Sequence, residues 1–497
     1  MKRPGLVAGG VVAGAATLAL LASPGARCTG PGLADAAEGS GVTVGVALSW
    51  HGLTEDDRYA RTLKRDFEAV TLENATKWST VHHEPGGEPD YQRADALVRF
   101  ASGSDLAIQG HPLVWDEHVP HWVPTDADPA RFQSLHRSFQ DRLVERFEGR
   151  ISTWDVVNEV IEDDGKVSGA PNFARLGPDG LAQAFRRAHA AVPHASLAYN
   201  DYSIEWDNAR QAGVLRLIDR WLAAGVPIDR VGIQGHMVAG LTPSRDQWRQ
   251  AIRRFGDRGL KVHLSELDVR SRHLKGAARG RQLAAARAFY DAVSACVDEP
   301  ACDRVTVWGL TSRWSWMNRH EHREDPVLYD AEHERLPAWY AVEAALARAP
   351  WPGCALDLAP PWQAEAGALV SRPAADGAPP TWRHRDRPGP WAGPILDLTD
   401  RVSEGLAFTV TAPVRPAQAS PVQLTLRVEG DGPDRFVTLA RAQVSAGEVT
   451  TLQATLDLSA LDPPLTSTPK RIVVYLEGPA VGVDLDVQAA RLSPACP

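Results

Sequence analysis

The sequence contains little methionine and cysteine, with three Met and five Cys among 497 residues. It has neither a Walker nor a Rossmann glycine pattern, so no nucleotide cofactor is expected. After the N-terminal segment it has no second apolar run long enough to cross a membrane. The net charge of −9 argues against nucleic acid as a partner. What remains is a globular chain whose composition suits a neutral polymer as substrate.

The N-terminus has the pattern of an export signal. Lys2 and Arg3 precede an uncharged run over residues 5–22, and Ala34-Asp35-Ala36 offers a small-x-small cleavage site. We therefore predict that residues 1–36 are a signal peptide and that the protein is secreted. An uncleaved membrane anchor is the alternative, because the run is barely long enough to span a bilayer.

The five cysteines fit an oxidising compartment. Cys354 and Cys496 flank the C-terminal region and could close it as one long loop. Cys28 is left alone: it is either a lipid-anchor site or, as we predict, lost with the signal peptide. Cys296 and Cys302 are six residues apart without an accompanying histidine, which is weak evidence for a metal site.

Eight short β-rich runs alternate with amphipathic helical patterns between about residues 42 and 350. This alternation predicts an α/β fold, a (β/α)8 TIM barrel over residues 37–350, with its functional site at the C-terminal ends of the strands. The predicted strands are residues 42–47, 69–72, 106–111, 151–157, 197–200, 231–234, 262–267 and 305–309.

Two of these runs end in carboxylates. The fourth run leads into Asn158 and Glu159, and the seventh carries Glu266 followed by Asp268. Desolvation raises a carboxyl pKa, which is what a general acid near neutral pH requires. A structural salt bridge would explain either glutamate alone, but two strand-end carboxylates together are the equipment of a glycoside hydrolase.

The segments DVVNE and LSELD around these residues resemble the two catalytic signatures of family 10 glycoside hydrolases, the xylanase family. The resemblance implies that Glu159 is the acid/base and Glu266 the nucleophile of a retaining enzyme. The two carboxyl groups should then lie ~5–5.5 Å apart, and Asn158 should hydrogen-bond the sugar 2-hydroxyl.

Five further strand ends are similar to the family in the segments ENATKW, GHPLVW, YNDY, GIQGH and WGLTSRWSW. The resemblance implies that Gln234 holds the nucleophile and that His236 bridges it to Asp268. The other implied substrate-binding residues are Glu73, Asn74, Lys77, His111, Trp115, Tyr202, Trp308 and Trp316. Singly, each has a structural alternative such as a core histidine or a packed tryptophan.

Family 10 enzymes often carry a small disulfide loop where Cys296 and Cys302 stand, so the resemblance implies that these two pair. The sequence departs from the family at His118, Asp116 and Ser312, which puts the discrimination between xylan and a β-glucan in question. His320-Glu321-His322 resembles a metal site, but its charged surroundings favour a solvated loop, and we expect neither a metal nor a cofactor.

After residue 350 prolines cluster and strand-like alternation replaces helical periodicity. We predict a Pro-rich connection over 351–374 and an all-β sandwich over 375–497. Its predicted strands are residues 406–414, 422–428, 436–444, 451–458, 471–477 and 483–492. Its segments PWAGPILDLTDRV and VVYLEGPAVGVDLDV resemble carbohydrate-binding modules of family 22 and the related families 4 and 9. By that likeness Trp391 stacks on a sugar, with Tyr475 and Glu477 lining the same cleft.

This second resemblance has gaps, because Phe436 and Val449 stand where the modules have Tyr and Trp. A sandwich that only stabilises the barrel is the alternative. The sequence as a whole predicts an exported, monomeric, retaining endo-β-1,4-glycanase acting on xylan. The rivals are an endoglucanase acting on a β-glucan and a non-hydrolytic glycan-binding protein, although binding alone would not need a nucleophile.

Overall fold

The computed structural model of the chain describes residues 31–85, 87–126, 128–177, 179–318, 324–364, 368–372, 381–385, 393–430, 432–478 and 485–495. The predicted signal peptide up to residue 30, Cys28, Trp391, Cys496 and His320-Glu321-His322 lie outside these residues, and the side chain of Cys354 is not described.

The N-terminal part is a closed parallel barrel. Its strands pair in the order β6-β5-β4-β3-β2-β1-β9-β8, and pairing of β6 with β8 closes the ring, while the short β7 extends the sheet beside β8. The strands are β1 Thr43–Leu48, β2 Ala69–Leu72, β3 Ala107–Gly110, β4 Thr153–Asn158, β5 Ser196–Asp201, β6 Arg230–Ile233, β7 His236–Val238, β8 Lys261–Arg270 and β9 Cys302–Val307.

Helices follow the barrel strands. None of those described combines the length and apolar character that a membrane span requires. They are α1 Leu33–Ala37, α2 Trp50–Glu55, α3 Tyr59–Asp66, α4 Trp78–Val81, α5 Gln92–Ser102, α6 Pro129–Arg146, α7 Pro171–Leu176, α8 Gly180–Ala191, α9 Ala209–Ala223, α10 Arg245–Gly256, α11 Ala278–Asp298 and α12 Pro337–Leu346.

The predicted barrel is confirmed, and each of the eight predicted strands matches an observed one within a few residues. The prediction succeeds because barrel strands are covered on both faces and therefore read as continuous apolar runs. All six residues of β4, for example, are buried. Cys296, in the last turn of α11, is bonded to Cys302 at the start of β9, as the family resemblance implied.

Two antiparallel sheets form the C-terminal part. One has the order β10-β13-β18-β15-β16, and the other β11-β12-β19-β14-β17 with β20 beside β14. The strands are β10 Gln363–Ala364, β11 Ala368–Arg372, β12 Thr381–Arg385, β13 Pro394–Asp397, β14 Phe408–Pro416, β15 Ser420–Glu429, β16 Arg435–Val444, β17 Thr450–Leu456, β18 Arg471–Glu477, β19 Leu485–Gln488 and β20 Arg491–Pro494.

The boundaries of this part differ from the prediction. Strands β10 and β11 lie inside the stretch 351–374 that was predicted as a connection, so the sandwich begins before residue 375. The prolines around these strands interrupt the alternation of apolar and polar residues by which a strand is recognised in sequence. The predicted strand over 483–492 is two strands, β19 and β20.

The sandwich is docked on the barrel through residues 402–405, which lie between β13 and β14. Gly276, in the barrel loop that follows β8, forms an antiparallel bridge with Ser403. The backbone N–H of Glu404 donates to the carbonyl of Lys275 at 2.8 Å, and the N–H of Lys275 donates to Glu404 Oε2 at 2.9 Å. Paired backbone groups across a contact fix its register, so the two parts meet in a defined orientation.

Glycines make this close contact possible. A methyl group on Gly280, in the first turn of α11, would lie 2.7 Å from the backbone nitrogen of Ser403. A methyl group on Gly276 would lie 2.5 Å from the Cα atom of Ser403. Both distances are shorter than a side chain tolerates, so the two backbones touch only because side chains are missing.

We predict that Gly280→Ala destabilises the protein by about 1–3 kcal/mol, because the added methyl overlaps the Ser403 backbone. Alanine is the better helix former by about 1 kcal/mol, so a net loss must arise at the contact. Thermal unfolding of the full chain measures the change. Gly169→Ala is the matched control, since a methyl there has no atom within 4 Å; an equal melting temperature for both variants would contradict the prediction.

Candidate active site

Glu159 directly follows β4 and has an unusual backbone conformation. Its φ is +56°, a left-handed value that a non-glycine residue adopts only at a cost. Its N–H donates to the carbonyl of Asn200, at the end of β5, at 2.9 Å. The neighbouring strand therefore holds the turn that takes Glu159 out of β4, and strain of this kind is typical of functional sites.

Glu266 lies in the middle of β8 and is 4% exposed. Its backbone N–H donates to the carbonyl of Gln234 at 2.9 Å. The pairing of β8 with β9 is interrupted between Leu264 and Leu267. Such an irregularity redirects a side chain at the rim of a barrel. Because β8 pairs with β6, the carboxylate of Glu266 lies among side chains from β5 and from the end of β6.

Three amide side chains connect the two carboxylates. Gln234 Nε2 donates to Glu159 Oε1 at 2.7 Å and approaches Asn158 Oδ1 at 3.5 Å. Asn200 Nδ2 donates to Asn158 Oδ1 at 2.8 Å and to Glu266 Oε1 at 2.7 Å. This places Glu159 and Glu266 at the two ends of one hydrogen-bond chain.

This geometry corrects one prediction. Gln234 was expected to hold Glu266, but its side chain donates to Glu159, and Asn200 takes the expected position on Glu266. The sequence pointed to Asn200 only as part of the YNDY segment, without a role. An amide at a strand end can turn to either neighbouring carboxylate, and the strand pattern does not specify which.

His236 bridges Glu266 and Asp268, as the sequence predicted. Its Nε2 lies 3.2 Å from Glu266 Oε2, and its Nδ1 lies 2.8 Å from Asp268 Oδ1. Trp316 Nε1 donates to the second oxygen of Asp268 at 2.7 Å. Burial alone would lower the pKa of His236, but the two carboxylates outweigh it and raise the pKa well above its usual value.

The pKa values of the two glutamates move in opposite directions. Burial raises the pKa of Glu159, and the negative charge of Glu266 adds to the shift, while the hydrogen bond from Gln234 opposes it. Burial alone would also raise the pKa of Glu266, but the charges of His111 and His236, with hydrogen bonds from His236 and Asn200, lower it. One site thus favours a protonated and an ionised carboxyl side by side.

Trp115 forms a wall beside Glu159. Its Nε1 donates to Glu159 Oε2 at 3.1 Å, and the ammonium group of Lys77 lies over its ring at 4.9 Å. The ring of His118 lies 4.6 Å from that of Trp115, and His118 Nδ1 lies 3.0 Å from Ser79 Oγ. His118, one of the departures from the family, therefore lies at this wall, two contacts away from the carboxylate.

His111, which the resemblance implies as a wall and hydrogen-bond donor of the sugar site, directly follows β3. Its side chain is buried, Nδ1 lies 2.9 Å from Asp155 Oδ2, and its ring meets the edge of Trp308 at 5.4 Å. Trp308 is also buried, whereas Trp316 remains 38% exposed at the mouth.

Tyr202 is oriented by a residue that sequence reasoning did not identify. The guanidinium of Arg210, in α9, lies over the Tyr202 ring at 4.0 Å and donates to its hydroxyl at 2.9 Å. Arg210 in turn binds Asp163 at 2.8 Å. Nothing in the helical pattern of α9 distinguishes Arg210 from a surface arginine.

Glu73 and Asn74 lie at the end of β2, as predicted, in a cleft of about 560 Å³ over the ends of β1, β2 and β9. Asn74 Oδ1 accepts from Lys77 Nζ at 2.8 Å, so the three predicted residues lie together. The other two departures from the family are structural: Asp116 accepts from the N–H of Asn172 at 3.0 Å, and Ser312 Oγ donates to Asp325 Oδ1 at 2.9 Å.

In the sandwich, Tyr475 and Glu477 lie on the same face of β18. Glu477 Oε1 accepts from Thr425 Oγ1 at 2.6 Å and from Gln423 Nε2 at 3.0 Å. Tyr475 is only 8% exposed and packs with Ile395. Its ring face therefore belongs to the sandwich core and is not open for stacking on a sugar.

Comparisons with known proteins agree with this geometry. The sequence model of a family described as "Glycosyl hydrolase family 10" matches residues 32–345. The chain is 32% identical over 308 residues to "Endo-1,4-beta-xylanase 1" of Humicola insolens, covering 61% of this chain and 71% of that protein. It is 29% identical over 312 residues to "Endo-1,4-beta-xylanase B" of Thermotoga neapolitana, covering 62% of this chain and 89% of that protein.

Solved structures give the same relationship. Xylanase 10B from Thermotoga petrophila RKU-1, in complex with xylobiose, superposes with a TM-score of 0.61 at 29% identity and covers 64% of this chain and 98% of that chain. The native xylanase 10B from Thermotoga maritima gives a TM-score of 0.60 at 30% identity with the same two coverages. With the barrel, the paired carboxylates and a family match over residues 32–345, the chain belongs to glycosyl hydrolase family 10 and is a glycoside hydrolase.

Proposed function

We propose that the protein is an endo-1,4-β-xylanase that cleaves the xylan chain with retention of anomeric configuration. The observation that carries the proposal is the placement of Glu159 and Glu266 at the two ends of one hydrogen-bond chain, with the pKa of Glu159 raised and the pKa of Glu266 lowered. The names of the relatives, which are endo-1,4-beta-xylanases, support xylan and not a β-glucan as the proposed substrate. The predicted separation of the two carboxyl groups, ~5–5.5 Å, remains the expectation for a retaining enzyme.

In the first step, the ionised Glu266 attacks the anomeric carbon while the protonated Glu159 gives its proton to the departing glycosidic oxygen. The bond from the anomeric carbon to that oxygen breaks, and an ester to Glu266 forms. The hydrogen bond from Asn200 and the contact with His236 hold the attacking carboxylate in one orientation. A nucleophile held in place has less freedom to lose at the transition state.

In the second step, Glu159 acts as a base. It takes a proton from water as the water oxygen attacks the anomeric carbon and releases Glu266. Loss of the negative charge on Glu266 in the ester removes one cause of the raised pKa of Glu159. The same group is therefore a better proton donor before the ester forms and a better acceptor afterwards.

Asn158 is the residue we assign to the sugar 2-hydroxyl. It is fully buried, and its Nδ2 has no hydrogen-bond partner in the described part of the chain, while its Oδ1 is occupied. A buried amide donor without a partner costs free energy unless a ligand satisfies it. A hydrogen bond to the 2-hydroxyl strengthens as positive charge develops on the sugar ring.

We predict that Glu266→Ala lowers kcat on xylan by about 10⁴-fold or more, because no carboxylate remains to form the ester. Reducing-sugar release from xylan measures the loss. Glu88→Ala, which removes a highly exposed carboxylate, is the matched control and should retain full activity. Mixed-linkage glucan and carboxymethylcellulose belong in the same assay: cleavage of these without cleavage of xylan would contradict the proposed substrate.

We predict that Gln234→Leu moves the alkaline limb of the pH–activity profile to higher pH. Glu159 must be protonated to donate, so activity is lost as pH rises through its raised pKa. The hydrogen bond from Gln234 stabilises the ionised form, and removing it raises that pKa further. The acid limb belongs to Glu266, where activity is lost as pH falls through its lowered pKa, and it serves as the internal control.

A pH profile of kcat/KM on an unbranched xylo-oligosaccharide tests this directly. Movement of the alkaline limb to lower pH would be inconsistent with the assigned proton donor. A shift of the acid limb alone would indicate that Gln234 contacts the nucleophile Glu266, as the family resemblance implied.

We propose that the sandwich binds the same polysaccharide and that Glu477 contributes to this binding. Its carboxylate, with Gln423 and Thr425 beside it, offers the cluster of polar groups that sugar hydroxyls need. Trp391, which lies beyond the described residues, stays the proposed stacking residue. An export signal at the N-terminus fits this function, because the polymer is found outside the cell. We place its end before α1 and not at residue 36, because Leu33 in α1 is fully buried and its N–H donates to Asp66 Oδ1 at 3.3 Å.

We expect Glu477→Ala to weaken retention on insoluble xylan about tenfold, since a charge-assisted hydrogen bond is lost. A pull-down with full-length Glu266→Ala as background prevents the substrate from being digested. Glu448→Ala removes an exposed carboxylate elsewhere in the sandwich and should not change retention. If Glu477→Ala is retained as well as the control, the alternative of a purely stabilising sandwich is favoured.

A further inference from the structure

The cleft of about 560 Å³ over the ends of β1, β2 and β9 has a chemistry that a neutral sugar chain does not require. Trp50, His51, Glu73, Arg93, Arg313 and Trp314 all line it. Its volume is in the range of sites that bind small ligands. Glu73 lies at its nearly buried floor, whereas both arginines are exposed at its edge. The cleft therefore offers two cations to a ligand that extends beyond Glu73.

Arg313 is held in place by aromatic contact. Its guanidinium lies over the Trp314 ring at 5.0 Å, and Trp314 is itself stacked with His51 at 6.5 Å and an interplanar angle of 16°. In the described part of the chain no carboxylate forms a salt bridge with Arg313. Stacking orients the planar group while leaving its N–H edge available, which favours two-pronged recognition of a carboxylate.

Arg93 stands where a cation does not stabilise the fold. It is in the first turn of α5, and the N-terminal end of a helix dipole favours negative charge. Asp95, two residues away, could have neutralised it, but Asp95 pairs with Arg146 at 2.9 Å. Among the described residues Arg93 forms no salt bridge. Its position is therefore explained by what it faces in the cleft and not by the stability of the helix.

We propose that Arg93 and Arg313 bind the carboxylate of an acidic branch, a uronic acid carried by the xylan chain, on the non-reducing side of the bond that is cut. The proposal rests on the proposed function and on the family resemblance, which implies that Glu73 and Asn74 bind backbone sugars on the non-reducing side of the cut. Glu73 lies at the nearly buried floor of the cleft and both arginines lie exposed at its edge, so the backbone sugar lies at the floor and the charged branch lies toward the edge. Trp314 supplies an apolar face for the branch sugar.

Two xylo-oligosaccharides of equal length test the proposal, one unbranched and one carrying a single glucuronic acid. For Arg93→Ala and Arg313→Ala we expect kcat/KM on the acidic substrate to fall about fivefold each, with little change on the unbranched one. Raising the salt concentration should reduce the ratio of the wild-type kcat/KM on the acidic substrate to that on the unbranched one, because exposed charges are screened. Arg99→Ala, on α5 but outside the lining of the cleft, is the matched control.

Equal losses on both substrates, or a wild type that does not distinguish them, would overturn the proposal. Calorimetric titration of the Glu266→Ala variant with the same two oligosaccharides separates this result from a failure of the proposed function. If the Glu266→Ala variant binds the acidic oligosaccharide more tightly than the unbranched one, and this difference disappears when either arginine is also replaced, the acidic-branch site is supported whether or not xylan is hydrolysed. Equal binding of the two oligosaccharides there refutes it.

Discussion

The active site depends on the hydrogen-bond chain that runs from Glu159 through Gln234, Asn158 and Asn200 to Glu266. Four barrel strands or their ends must lie side by side for it to form, and the parallel pairing of β4 with β5, β5 with β6, and β6 with β8 places them there. The chain gives each carboxylate its own donor, and His236, which contacts Glu266, adds a charge that lowers the pKa of that carboxyl. The pKa values of two identical side chains are therefore shifted in opposite directions.

The sequence predicts the barrel and both catalytic carboxylates because these features follow from burial. A strand covered on both faces must be apolar throughout. Polar residues in such a run are therefore conspicuous: Asn158 and Glu159 at the end of β4, and Glu266 within β8. Sequence reasoning does not reach the direction in which a side chain turns. That is why Gln234 was assigned to Glu266, although its side chain donates to Glu159. Arg210 was missed because its role depends on the contact with Tyr202 across the loop.

In the sandwich, alternation identifies β14 to β18 but not the strands before them. Prolines interrupt the pattern around β10, β11 and β13, and two of these strands lie in what reads as a connection. Exposure is equally hard to infer: Tyr475 matches the position of a sugar-contacting residue, yet it packs against Ile395 in the core. A resemblance assigns a residue to a position, and packing decides which of its surfaces meets solvent.

The bridge between Gly276 and Ser403 has a consequence for how the two parts can act on a polymer. On a flexible tether, a binding module can take many positions around its enzyme, and the gain in affinity for the polymer depends on the effective concentration that the tether sets. Backbone pairing at this contact removes that freedom. If the sandwich holds a glycan strand as proposed, that strand meets the barrel cleft at one fixed distance and angle. Any benefit of the second domain then depends on the stiffness and periodicity of the polymer.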